Sequence, residues 1–164
     1  MIDIRKNFLE DKDFIGLRGL FMSNVFPWFL SGKNQDALKE KDFQFVHIFY
    51  EKNNINSQFF DWLNPLLNKI KPFSIVRIKA NLLTRTSKIV DAGMHTDFTL
   101  PNNKVTTGIY YLDDSNGYTN FEKGEKIKSE SNKYVSFDSK LKHCGSTCTD
   151  KDFRMVINLN YIDS

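Results

Sequence analysis

Residues Arg154–Ile162 read "RMVINLNYI". Side chains alternate between the two faces of a strand, so parity divides this run. Met155, Ile157, Leu159 and Tyr161 form an apolar face, and Arg154, Val156, Asn158 and Asn160 form the other. A two-layer fold presses the first face onto the N-terminal helices and turns the second toward an interior, where it is too polar for a core. The run "IVRIKAN", Ile75–Asn81, divides the same way, with Val76, Ile78 and Ala80 opposite Arg77, Lys79 and Asn81. Buried polar groups without partners are costly. Two polar inner faces therefore imply a wet cavity or a bound polar ligand.

Working outward, the chain after Lys71 is a succession of short β-like runs separated by turn chemistry. These are "FSIVRIKANLLT", "GMHTDFTL", "VTTGIYYL", "GYTNFE", "GEKIKSE", "NKYVSFD", "LKHCGST" and the closing run itself. The punctuation falls at Asp113–Gly117, Lys123–Gly124 and Asp138–Lys140. The first part is helical or mixed. "DKDFIGLRGLF" opens on Asp11 and Asp13, and "SQFFDWLNPLLNKI" repeats apolar residues at Phe59, Leu63, Leu67 and Ile70 behind a Ser57 cap. Between them "FQFVHIFYE" is aromatic and β-branched, as a strand is. A helical prelude followed by many short strands predicts a mainly β fold with N-terminal helices, a sandwich or jelly roll rather than a parallel α/β sheet.

The 164 residues suit one domain able to bury a core. Residues 1–72 read as helical or mixed support and 73–163 as the β core. No run approaches the ~20 apolar residues that span a bilayer, and the N-terminus lacks the apolar centre of a signal peptide. A cytoplasmic protein is expected. The formal charge of +3 is mild and interleaved, so it neither demands nor excludes nucleic acid. Cys144 and Cys148, beside one histidine, are too few for a structural zinc site and read as reduced, half-buried residues.

In "GMHTDF" a histidine and an aspartate stand two apart, in a chain with 3 histidines. On a strand, His95 and Asp97 project from one face and can share a metal. His143, in "LKHCGST", lies on a run that can sit opposite and supply a third ligand. Two histidines and one carboxylate leave three positions of an octahedron open, the arrangement of non-haem Fe(II) oxygenases. Thiolate clusters and an all-oxygen cage are absent, which speaks against structural zinc and calcium. Arg154 follows His143 by eleven residues, and antiparallel neighbours would bring its guanidinium into the same cavity to clamp a carboxylate. Singly, each residue has an ordinary explanation: a packed or surface histidine, a salt-bridged arginine, a core tyrosine at Tyr111. It is their agreement in order, spacing and face that favours a site. His47, with no partner at ligand spacing, reads as structural. Arg77, Lys79, Arg85 and Lys88 read as a solvated rim in preference to a guide for an acidic substrate or a nucleic-acid backbone.

His-x-Asp, a distal His and then Arg on the next strand resemble the 2-oxoglutarate and Fe(II)-dependent dioxygenases, in their prolyl 4-hydroxylase-like branch. "IYYLDD" resembles that branch's third core strand, "NGYTNFEKGEKIKSESNKYVSFDS" its Gly-x-Thr-x-Phe segment and following strands, and "RMVINLNY" its closing strand. The resemblance runs from about Phe73 to Asp163. It implies a double-stranded β-helix, a cupin-like jelly roll, in a small single-domain form typical of phage and related microbial genomes. It further implies that His95, Asp97 and His143 hold Fe(II), forming the catalytic set with Arg154. Arg154 would pair with the distal carboxylate of 2-oxoglutarate, helped by Tyr111 and Thr119, with Asn81 touching the cosubstrate from the first core strand. Dioxygen is the other cosubstrate. Asn160 replaces a residue that is often aromatic in prolyl hydroxylases and, with Arg77 and Lys79, is expected to face the substrate.

The activity implied is hydroxylation of a prolyl residue in a peptide or protein, or of a similar small substrate, with 2-oxoglutarate converted to succinate. One alternative is an AlkB-like nucleobase oxygenase or demethylase; the other is a non-catalytic jelly roll that binds 2-oxoglutarate. The stretch "SGKNQDALKEKDF", 31–43, is expected to form a lid.

Overall fold

A computed structural model describes residues 1–32, 43–101 and 104–163. The expected lid lies almost wholly outside the described residues. The chain opens with β1 (Asp3–Arg5) and α1 (Asp11–Phe21), followed by β2 (Phe29–Gly32), β3 (Phe43–Glu51) and β4 (Asn54–Ile55). A short 3₁₀ turn (Phe60–Leu63) leads into α2 (Asn64–Ile70), and β5 (Ser74–Thr84) follows. The rest is β6 (Val105–Tyr111), β7 (Tyr118–Phe121), β8 (Lys126–Lys128), β9 (Lys133–Asp138), β10 (His143–Gly145) and β11 (Phe153–Ile162).

Local chemistry explains the helices. Asp11 and Asp13 sit in the first turn of α1 and Arg18 in its last, matching the helix dipole. The "SQFFDWLNPLLNKI" segment is not one helix. Pro65 has no N–H to give and is tolerated only in a first turn, so the α-helix restarts at Asn64 after the 3₁₀ turn. Ser57 caps neither element: its Oγ accepts the Phe59 N–H at 3.0 Å, in a local turn ahead of the 3₁₀ segment. α2 ends where Lys71 takes a left-handed φ of 55°, ahead of Pro72.

Among the described residues, the strands build two sheets. The larger has the order β1-β9-β6-β11-β5-β3-β2, with β4 paired to β3, and the smaller is β10-β7-β8. Every pairing is antiparallel. The N-terminal part thus adds strands to both edges of the larger sheet. Seven of the expected β runs after Lys71 are strands. The eighth, "GMHTDFTL", forms no strand; a single bridge ties His95 to His143, and just ahead of it another ties Asp91 to Ser146.

β11 lies at the centre, between β5 and β6. Its Met155, Ile157, Leu159 and Tyr161 join Ile78 and Ala80 of β5 in the main core, packed on Leu17, Leu20 and Phe21 of α1 and Leu66 of α2. At ~25 cal/mol per Å² of apolar surface, burying each such aliphatic side chain contributes about 1.5–3 kcal/mol. A second cluster, with Ile109, Tyr111, Phe121, Val135 and Val156, fills part of the space between the sheets. The polar faces of β5 and β11 turn toward what remains. Among the described residues no helix is long and apolar enough to cross a membrane.

Candidate metal centre and its cavity

The two histidines face each other across a bridge. His95 N–H donates to the His143 carbonyl at 3.0 Å and His143 N–H returns the bond at 2.9 Å. Residues so paired in an antiparallel ladder put their side chains on one face, and the rings lie 4.8 Å apart between centroids. Asp97, two residues on, is held by its N–H to the Ser139 carbonyl. The outcome is three ligand atoms, one each from His95, Asp97 and His143, all within 4.8 Å of one another. The two Nε2 atoms each stand 3.8 Å from an Asp97 carboxylate oxygen.

The surroundings orient these donors. His95 Nδ1 lies 2.9 Å from the Gly93 carbonyl and His143 Nδ1 lies 2.9 Å from that of Leu141. A carbonyl only accepts, so each Nδ1 carries the proton and each Nε2 offers its lone pair to the centre. Burial pushes the His143 imidazole below its ordinary value, against the opposing pull of the Leu141 carbonyl and Asp97. For Asp97, burial raises the carboxyl, but hydrogen bonds from Thr107 and Asn160 and the two histidines outweigh it and hold the group below the usual range. A neutral His143 imidazole beside an ionised Asp97 carboxylate suits a divalent metal. His143 is buried and the Asp97 side chain only 9% exposed, while that of His95 is 47% exposed, so the centre opens on the His95 side.

Thr107 and Asn160 form the layer behind Asp97. Thr107 Oγ1 donates to Asp97 Oδ2 at 2.7 Å, and Asn160 Nδ2 donates to the same oxygen at 3.0 Å. The sequence expectation that Asn160 faces the substrate is corrected here. It is wholly buried, next to a register shift in β11, and its Nδ2 donates to Asp97 and Thr107 behind the centre, while its Oδ1 is buried without a partner. Thr107 escaped the sequence reading altogether. The available signal was its place in "VTTGIYYL", on the same parity as Ile109 and Tyr111.

The cavity between the sheets has a volume of about 520 Å³. Arg154 forms its far wall and is 1% exposed. Its guanidinium lies 3.4 Å from the Ser146 carbonyl and 3.5 Å from Thr119 Oγ1, with the Tyr111 hydroxyl also beside it, and its Nε is buried without a partner. No carboxylate lies within ion-pair distance of it among the described residues. Burial lowers its pKa. An unpaired buried cation is expensive, and the cavity beside it fits an anion. Tyr111, whose hydroxyl burial holds above the ordinary range, bonds Thr119 at 2.7 Å and presents its ring to the Arg154 guanidinium at 5.5 Å. Gly117 makes room: a Cβ there would stand 2.7 Å from Arg154 Cδ.

Asn81 and Asn158 also line the cavity, and the Oδ1 of each is buried without a hydrogen bond. The basic cluster divides. Arg85 is a surface residue 3.6 Å from Asp152, and Lys88 is exposed, as a rim requires. Arg77 and Lys79 instead line the cavity, because their parity on β5 is that of Asn81. His47 is structural: its Nδ1 meets the Pro27 carbonyl at 2.8 Å and its Nε2 meets Ser57 Oγ at 2.7 Å. Cys144 and Cys148 are buried and not bonded to each other.

No family model matches the sequence, and no curated protein matches it. Solved structures do match in shape. One is the non-haem alpha-ketoglutarate-dependent carbocyclase SnoK from nogalamycin biosynthesis (TM-score 0.70, 13% identity, over 99% of this chain and 79% of that one). Another is a Pseudomonas putida prolyl-4-hydroxylase (TM-score 0.70, 9% identity, 98% and 92%). A third is a Trichoplax adhaerens prolyl hydroxylase in complex with a hypoxia-inducible-factor peptide fragment (TM-score 0.68, 13% identity, 99% and 83%). The fold is the jelly roll of the 2-oxoglutarate/Fe(II)-dependent oxygenases, prolyl 4-hydroxylases among them. The donor set of two imidazole nitrogens and a carboxylate fits Fe(II), and the Arg154 wall fits the carboxylate of 2-oxoglutarate.

Proposed function

We propose that the protein is a 2-oxoglutarate- and Fe(II)-dependent dioxygenase that hydroxylates a prolyl residue of a peptide or a similar small, amino-acid-like substrate. The observation that carries the reading is the convergence of His95, Asp97 and His143 at the mouth of a cavity backed by a buried, unpaired arginine. His95, Asp97 and His143 would hold the iron. Bound Fe(II), with 2-oxoglutarate and dioxygen, supplies chemistry that couples decarboxylation to succinate and carbon dioxide with insertion of one oxygen atom into a substrate C–H bond.

The chain's own residues have narrower tasks. Arg154 would hold the distal carboxylate of 2-oxoglutarate through two parallel hydrogen bonds, with the Thr119 hydroxyl as a further donor set by Tyr111. Asn81 would offer its amide to the cosubstrate from β5. Thr107 and Asn160 keep Asp97 ionised and aimed. Phe121 and Phe137, packed on the His143 ring, exclude water from the inner side of the centre. The exposed His95 side is where a substrate would enter.

The test is turnover of the Fe(II)-loaded protein with labelled 2-oxoglutarate. Succinate release stimulated by proline-containing peptides, with hydroxyproline as product, supports the reading. Formaldehyde from methylated single-stranded DNA, with no response to proline, would favour the nucleobase oxygenase. Tight 2-oxoglutarate binding with no succinate under any substrate would indicate a binding protein.

A further inference from the structure

We infer that the substrate presents an anionic group, carboxylate or phosphate, to Arg77. This deepens the oxygenase reading and rests on it, because it concerns the part of the cavity left over once 2-oxoglutarate is seated.

Register places the charges along the β5–β11 pair. Leu83 stands opposite Arg154, Asn81 opposite Val156, Lys79 opposite Asn158 and Arg77 opposite Asn160. Arg154 and Asn160 are six residues apart on β11, about 20 Å of strand at ~3.3 Å per residue. A five-carbon diacid spans only about 5 Å between its carboxyl carbons, given C–C bonds of about 1.5 Å. With one carboxylate held by Arg154 and the other toward the metal ligands, 2-oxoglutarate would have used both its charges. Arg77 lies beyond it, on the metal side, since its neighbour Asn160 bonds Asp97.

Three observations mark Arg77 as a ligand group rather than a surface charge. It lines the cavity and is only partly exposed. Its guanidinium is seated 4.6 Å over the ring of Phe98, the residue after Asp97, which fixes its position beside the metal centre. Its Nε is buried with no hydrogen-bond partner, and no acidic side chain lies within ion-pair distance among the described residues. A half-desolvated arginine with open donors matches an oxyanion in charge and in geometry. Lys79 adds its charge to the same wall. The metal centre would then act on a carbon between the anion held by Arg77 and the rest of the substrate.

The test uses Fe(II)- and 2-oxoglutarate-loaded protein, kept anaerobic, and calorimetric binding of two matched pairs of probes. One pair is N-acetyl-L-proline and its amide, the other deoxycytidine 5′-monophosphate and deoxycytidine. At least one charged probe is expected to bind tenfold or more tightly than its neutral twin. That gap should fall below twofold in Arg77→Gln and persist in Arg77→Lys, and the pair that shows it tells carboxylate from phosphate. Equal binding within both pairs, no binding of either anion up to about 10 mM, or a gap that survives Arg77→Gln would overturn the inference. The same samples report 2-oxoglutarate affinity. If wild-type protein fails to bind 2-oxoglutarate, the oxygenase reading itself has failed and this inference falls with it.

Discussion

The outer and inner faces of β11 share one backbone and meet opposite fates. On the outer face Met155, Ile157, Leu159 and Tyr161 are closed over by α1 and α2. On the inner face Arg154 Nε, Asn158 Oδ1 and Asn160 Oδ1 are buried without partners. Apolar groups need only be removed from water, whereas buried polar groups need a matching partner. The outer face is therefore finished by folding, and the inner face is finished only by something that binds. A strand at the centre of the larger sheet is rigid enough to serve both ends.

Substitutions on the two sides should separate binding from stability. Asp97→Ala should weaken Fe(II) binding by more than the ~100-fold upper range of outer-shell changes while leaving a folded protein. Leu159→Ala should do the reverse, costing ~2–5 kcal/mol of stability in urea unfolding with the Fe(II) affinity of the folded protein intact. A comparable effect of both on both readouts would break the comparison. Arg154→Gln should lower 2-oxoglutarate affinity about 100-fold, some 2.7 kcal/mol, as read by calorimetry on the metal-loaded protein. An unchanged affinity would move the cosubstrate elsewhere.

Asp113 joins the two faces at the start of β11, where its Oδ2 accepts the Met155 N–H at 2.7 Å. Burial pushes its carboxyl up to about 6. A carboxyl whose folded pKa exceeds its unfolded value contributes stability that is complete below about pH 4 and is lost as pH rises through 6. Wild type should therefore lose roughly 2–3 kcal/mol relative to Asp113→Asn between pH 4 and 7, at 1.36 kcal/mol per pKa unit. A stability difference that stays flat with pH would contradict this. The smallest expected effect is that of Thr107→Val, about tenfold in Fe(II) affinity, because Asn160 still bonds the same carboxylate oxygen.

Much of this was legible in the sequence where a period or a spacing carried it. Parity separated the two faces of β5 and β11, and the His-x-Asp pair with a distal histidine marked the centre. What escaped depended on tertiary contact. Asn160 has the parity of a cavity residue, but a register shift and the nearness of Asp97 draw its amide behind the metal centre. The segment carrying His95 and Asp97 was expected as a strand, yet two single bridges hold it, because its partner β10 has only three residues. Thr107 and Gly117 have unremarkable neighbours in sequence, and their roles arise from Asp97 and Arg154, which approach from distant segments. Arg77 and Lys79 share a composition cluster with Arg85 and Lys88, which suggested a rim, but parity had already set them on the inner face of β5 with Asn81, and there they line the cavity.

The most direct test of the metal centre is an anaerobic titration of purified protein with Fe(II) and 2-oxoglutarate, followed by the visible metal-to-ligand charge-transfer band. The band is expected in wild type and absent from His95→Ala. Its absence from folded, iron-loaded wild type, or its persistence in His95→Ala, would contradict the assignment of His95, Asp97 and His143 as the iron ligands.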